Sequence, residues 1–135
     1  MTVDPTHPRG CHPGRVQVVL IAVAGAAGAL SRYGLSTAVG GRSFPWATLG
    51  INLVGSFALG LVLHLARLRG WPDQVTLPVA VGFLGAFTTF STFSVETFDL
   101  LRTDQATQAF LYVGLSVAGG LAAAAVGYAA ARSFA

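Results

Sequence analysis

The chain has no lysine, one cysteine, and charged residues at 10% of its 135 positions. Each shortage excludes something. A single cysteine, Cys11, rules out an intrachain disulfide. A soluble domain carries roughly 25% charged residues, so the deficit, with 53% hydrophobic residues, excludes an ordinary soluble fold. All eight basic residues are arginine, and the net charge of +3 is read as loop and tail charge meeting lipid head groups rather than nucleic acid. Only one histidine, His64, lies outside the N-terminal tail, near the end of an apolar run. The parts of a nucleophilic catalyst are not assembled, so no enzyme is expected. His64 is read as an interfacial residue. Residues 1–15, "MTVDPTHPRGCHPGR", lack the apolar core of a signal peptide and are expected to form a disordered, cytoplasmic polar tail. His7, Cys11 and His12 in that tail do not fix a coordination geometry.

What remains is apolar and long. A transmembrane helix needs about 20 apolar residues, and four windows qualify: Val16 to about Val39, Pro45 to about Ala66, about Val75 to Leu101, and Ala106 to about Ala131. Residues 16–135 are therefore expected to be a four-helix transmembrane domain in an all-α integral membrane protein. Pro45 falls in a first turn, where its missing N–H costs little. Small residues such as Gly55, Gly60, Gly119 and Gly120 run through the spans, and in lipid close backbone approach at such residues drives helix association.

Four spans put both termini on one side. That side carries Arg9, Arg15, Arg67, Arg69 and Arg132, against Arg32, Arg42 and Arg102 on the other. A bias of five to three leaves both orientations open. A four-helix interior is narrow and filled by side chains. A solute path is more easily built between two copies, which predicts a homodimer.

The third span contains "GFLGAFTTFSTFSVE", Gly82 to Glu96, with four phenylalanines, five hydroxyls and a carboxylate. On a continuous helix, Phe83, Phe87, Phe90 and Phe93 form one stripe, which suits simple packing. Thr88, Thr89, Ser91, Thr92 and Ser94 exceed what local back-bonding requires. They suit a helix broken near its centre, with Gly82 and Gly85 upstream, whose freed carbonyls are ligands for a small cation. Phenylalanine edges are electropositive and offer a weak anion site without charge. Asn52 is costly to leave unpaired in lipid, and Thr48 shares its face. Tyr112 and Ser116 share a face of the last span. Arg32 and Glu96 are the charges well inside the spans, and either could snorkel to an interface.

"GAAGALSRY", "PWATLGINLVGSFALG" and "GFLGAFTTFSTFSVE" resemble the signatures of the Fluc (CrcB) fluoride channels, over about residues 18–132. The resemblance implies an antiparallel, dual-topology homodimer in the inner (plasma) membrane that exports fluoride passively from the cytoplasm. It places Asn52, Phe90, Phe93, Tyr112 and Ser116 on the fluoride pathway, with Thr48, Ser91, Thr92, Ser94 and Glu96 at or near it. It implies a structural Na+ at the dimer interface, held by the backbone carbonyls of Gly85 and Thr88, and matches Arg32 to the family's first-helix arginine. Two positions depart from the pattern: Ala47 stands where glycine is frequent, and Gly120 where the fourth-helix track can carry a third hydroxyl. The competing reading is a small dual-topology multidrug or cation transporter. Proton coupling there needs a carboxylate deep in the first span, and that span has none. A non-transporting membrane scaffold would suit the small-residue faces but gives the phenylalanines and hydroxyls no role.

Overall fold

The computed structural model describes residues 14–40 and 43–134. Most of the expected polar tail lies outside these residues, as do His7, Cys11, His12 and Arg42. All regular structure among the described residues is helical. We label the helices α1 (Arg15–Val39), α2 (Trp46–Arg69), α3 (residues 73–87), α4 (Phe90–Arg102) and α5 (Ala106–Ala131), followed by a 3₁₀ turn at Arg132–Phe134. Taken with α3 and α4 as one segment, Asp73–Arg102, four helices are long and apolar enough to cross a membrane. This matches the expected spans to within a few residues. Pro45 is a small correction: it caps α2 and is not in its first turn, and helical geometry begins at Trp46. Gly70 ends α2 at φ +62°, the left-handed conformation that glycine adopts without a Cβ clash.

The third span is irregular before it breaks. Asp73–Leu77 is α-helical, Pro78–Leu84 is a π-helical stretch, and Gly85–Phe87 returns to α. Pro78 opens the π stretch, and it has no N–H to give the carbonyl four residues back. At the far end of that stretch the Gly85 N–H reaches Ala80 O, five residues back.

The main interface runs between α2 and α5, which pack side by side over their lengths. A Cβ added to Gly60 would overlap the Ala124 backbone, and one added to Gly127 would overlap that of Phe57, so backbones meet where the sequence has glycine. The expected tight small-residue packing is borne out there. α1 packs mainly on the π stretch of α3 and buries only Gly28. At the end where α2 and α5 begin, Leu49, Leu100, Ala109 and Tyr112 form the core cluster, with Phe44, Leu53 and Phe93 packed against it.

His64, expected near the membrane interface, is 8% exposed between α2 and α5, with its ring 3.7 Å from that of Tyr128. It sits one turn beyond Gly60, where the two helices still touch.

Candidate functional site: the helix break and the groove beside it

Two residues in extended conformation, Thr88 (φ −77°, ψ 158°) and Thr89 (φ −149°, ψ 118°), separate α3 from α4. The third span is thus broken near its centre, as expected, downstream of Gly82 and Gly85, which both remain helical. A break strands backbone groups that lipid cannot satisfy. Here side chains take them. Thr89 caps α4, its Oγ1 accepting from Thr92 N–H at 3.2 Å. The Arg32 Nε–H donates to Ala86 O at 3.2 Å, so Arg32 serves α3 and does not snorkel away.

Asn52, the chain's one asparagine, contributes most. Its Nδ2 donates to Thr89 O at 3.0 Å, and its Oδ1 accepts from Thr89 N–H at 2.8 Å. The amide grips the backbone of one residue from both sides. Three residues on, Gly55 faces Thr88, whose methyl group would overlap any Cβ there. The N-x-x-G spacing therefore puts a clamp and a vacant contact on one helix face, as the broken strand requires.

This arrangement diverts particular donors. In a continuous helix the Thr89 N–H would pair with Gly85 O, and the Thr92 N–H with Thr88 O. The first goes to Asn52 and the second to the Thr89 hydroxyl. The carbonyls of Gly85 and Thr88 are thereby left without their usual helical partners. They are the two that the resemblance assigns to a cation, and hard carbonyl oxygens are a donor set that suits Na+ chemically.

The break also splits the phenylalanine stripe, which corrects the expectation of one continuous row. Phe83 and Phe87 stack on α3 with centroids 6.0 Å apart. Phe90 and Phe93 form a separate tilted pair on α4 at 5.6 Å. Phe90 is 80% exposed on the protomer. Phe93 turns inward and lies 5.1 Å from the Tyr112 ring.

Two cavities meet these residues. A vestibule of about 590 Å³ opens at the end where α1 and α4 finish, and Thr48, Thr92, Glu96, Asp99 and Arg102 are among its lining. At its inner edge Glu96 is held by two hydroxyls: Thr48 Oγ1 donates to Oε1 at 2.8 Å and Tyr112 OH to Oε2 at 2.7 Å. Glu96 is therefore tied inward and does not snorkel. Below lies a groove of about 250 Å³ lined by Asn52, Thr88, Phe90, Phe93 and Ser116, among others. The Ser116 hydroxyl is buried without a hydrogen-bond partner among the described residues. Such a group is a donor in waiting.

Of the residues singled out in the sequence, Thr48, Glu96, Tyr112 and Phe93 come together, as do Asn52, Thr88, Phe90, Phe93 and Ser116. Thr92 joins the first group at the vestibule wall. Ser91 and Ser94 line neither cavity. Ser94 donates to Phe90 O one turn back at 2.9 Å, the local back-bond that an isolated helical serine makes. Ser91 contacts the Thr89 hydroxyl at 3.3 Å. Thr89 itself was missed as a site residue. Its signal was present: threonine is a preferred N-cap residue where a helix restarts. Phe44, 5.6 Å from Tyr112 in an edge-on arrangement, was also missed, and no local pattern points to it.

Comparison with known proteins agrees with the motifs. The family described as CrcB-like protein, Camphor Resistance (CrcB), matches residues 19–128. A protein of Bacillus cereus named fluoride-specific ion channel FluC 1 is 47% identical over 114 residues, covering 82% of this chain and 79% of the relative. One of Hahella chejuensis, named fluoride-specific ion channel FluC, is 47% identical over 105 residues, 74% of this chain and 82% of its own. A namesake in Geobacter sulfurreducens is 46% identical over 105 residues, 75% and 85% respectively. The matched span takes in the break, the clamp and most of every helix, and the chain belongs to the CrcB-like family.

Proposed function

We propose that this protein is a fluoride-selective channel, a multi-pass protein of the inner (plasma) membrane that lets fluoride leave the cytoplasm passively. The observation that carries the reading is the groove beside the helix break. It presents phenylalanine rings, an amide and an unpartnered hydroxyl, and among the described residues no cationic side chain lines it. A dehydrated anion needs donors, but a full positive charge would trap it, and conduction requires an ion to leave as readily as it enters. Ring edges and neutral donors meet both demands. Asn52 uses one of its two N–H groups on Thr89, so the other remains for an anion. At the vestibule edge, Glu96 occupies the hydroxyls of Thr48 and Tyr112. An anion passing that point exchanges with a carboxylate oxygen for those donors.

The working unit is an antiparallel homodimer embedded in lipid. Supporting this, Phe90 is 80% exposed on a protomer although its ring belongs to the groove, so a second copy would complete the wall. The carbonyls of Gly85 and Thr88 would hold a structural Na+ between the copies, and when bound it offsets the cost of an anion in a low-dielectric interior. The test is efflux from liposomes containing purified protein, read with fluoride and chloride electrodes. Rapid fluoride release with chloride retained is expected. Equal release of both ions, or none of fluoride, would overturn the reading.

A further inference from the structure

Polar residues on α2 and α5 face each other in rungs one helical turn apart. Thr48 and Tyr112 share Glu96. Asn52 and Ser116 share the groove wall. One turn further, α2 presents Ser56 and α5 presents Gly120. A Cβ built on Gly120 meets a single neighbour within 4 Å, the Ser56 Oγ at 3.7 Å. At the next turn Gly60 lies against the Ala124 backbone, and the seam is shut.

We propose that Ser56 is the last polar rung of the anion pathway, supplying from α2 the hydroxyl that α5 lacks at Gly120. The inference rests on the channel reading and extends it to a residue outside the matched set. Ser56 lines the same groove as Asn52, Phe90, Phe93 and Ser116. In the third span several hydroxyls are consumed locally, since Thr88, Ser94 and Thr97 each donate to a carbonyl one turn back. Ser56 makes no such bond among the described residues, so its donor is free for a ligand. An anion leaving Ser116 then finds its next donor across the seam on α2, and at the following turn the Gly60–Ala124 backbone contact closes the way. The track crosses from one helix to the other at the point where it ends.

The competing role is packing, in which Ser56 is merely small enough for the α2–α5 seam. Alanine satisfies that role and not the proposed one. In the efflux assay, Ser56→Ala is expected to lower the fluoride rate by at least about tenfold, the weight of a hydrogen bond to an ion. Its size-exclusion peak should match the parent. Ser56→Cys, with similar volume and a weak donor, should fall likewise. Gly120→Ser in the Ser56→Ala background should restore the rate to within about threefold, the span below a single lost hydrogen bond, because the built Cβ has only ordinary contact there. Gly120→Ala in the same background should not. Parent-like rates in Ser56→Ala overturn the inference and leave the channel reading standing. A loss that Gly120→Ser fails to restore shows that a hydroxyl at this rung is not what the rate depends on, and overturns it too. A parent protein that carries no fluoride removes the channel reading, and this inference falls with it.

Discussion

Asn52 is asked to do two things, clamp the break and face the anion, and substitution separates them. Asn52→Ala removes both bonds to Thr89, at 3.0 and 2.8 Å. A typical bond contributes about 1 kcal/mol net, and an orphaned buried backbone group costs roughly 1–3 kcal/mol. With the Thr89 N–H and C=O both stranded, a loss of about 2–4 kcal/mol is expected. Asn52→Asp keeps the acceptor for Thr89 N–H but turns a carboxylate oxygen toward Thr89 O, where Nδ2 had donated. Its added effect is charge on the path. Two like charges about 4 Å apart at an effective dielectric near 20 repel by about 4 kcal/mol, which is roughly a thousandfold in anion occupancy. Thermal unfolding followed by size exclusion reads the first quantity, and initial fluoride efflux per folded protein reads the second. Asn52→Ala should be less stable than the parent, and folded Asn52→Asp should be without flux. Efflux from Asn52→Asp within tenfold of the parent would remove Asn52 from the pathway. A stable Asn52→Ala would refute the clamp.

Phe90→Ile and Phe93→Ile should each lose flux sharply at parent-like yield, because isoleucine keeps the volume at a cost under about 1.5 kcal/mol but has no ring edge; Phe83→Ile, in the stacked pair before the break, is the control, and equal flux from all three would sink the ring pathway. Thr89→Ala removes the cap of α4 and should lower stability by about 1 kcal/mol, read as a fall in melting temperature; an unchanged value would mean that the cap is dispensable. Gly60→Val forces a side chain into the Ala124 backbone and should destabilise by roughly 1–3 kcal/mol or more, so a parent-like size-exclusion profile and melting point would contradict the α2–α5 contact. A reporter on the C-terminus should appear on both sides of the membrane, as the five-to-three arginine distribution allows; exclusive cytoplasmic labelling would count against the antiparallel dimer.

The spans were legible in the residues alone, because transfer of an apolar helix into lipid depends on length and composition, which are local. The irregularity of the third span was legible too, from the density of hydroxyls around Thr88. So was its approximate place, near the centre of the span and downstream of Gly82 and Gly85. What fixes it was not: at Thr88 and Thr89, Asn52 arrives from α2 to take the Thr89 backbone and Gly55 leaves room for Thr88. The same event divides the phenylalanines into two pairs, which no helical periodicity foretells. His64 shows the limit from the other side: near a span end its environment depends on whether α5 is still in contact, and Tyr128 is there to cover it. Hydropathy determined that this chain crosses a membrane four times. Which backbone groups the third crossing leaves free, and which side chains face them, was decided by the donors and vacant contacts that α2 and α5 bring from far along the sequence.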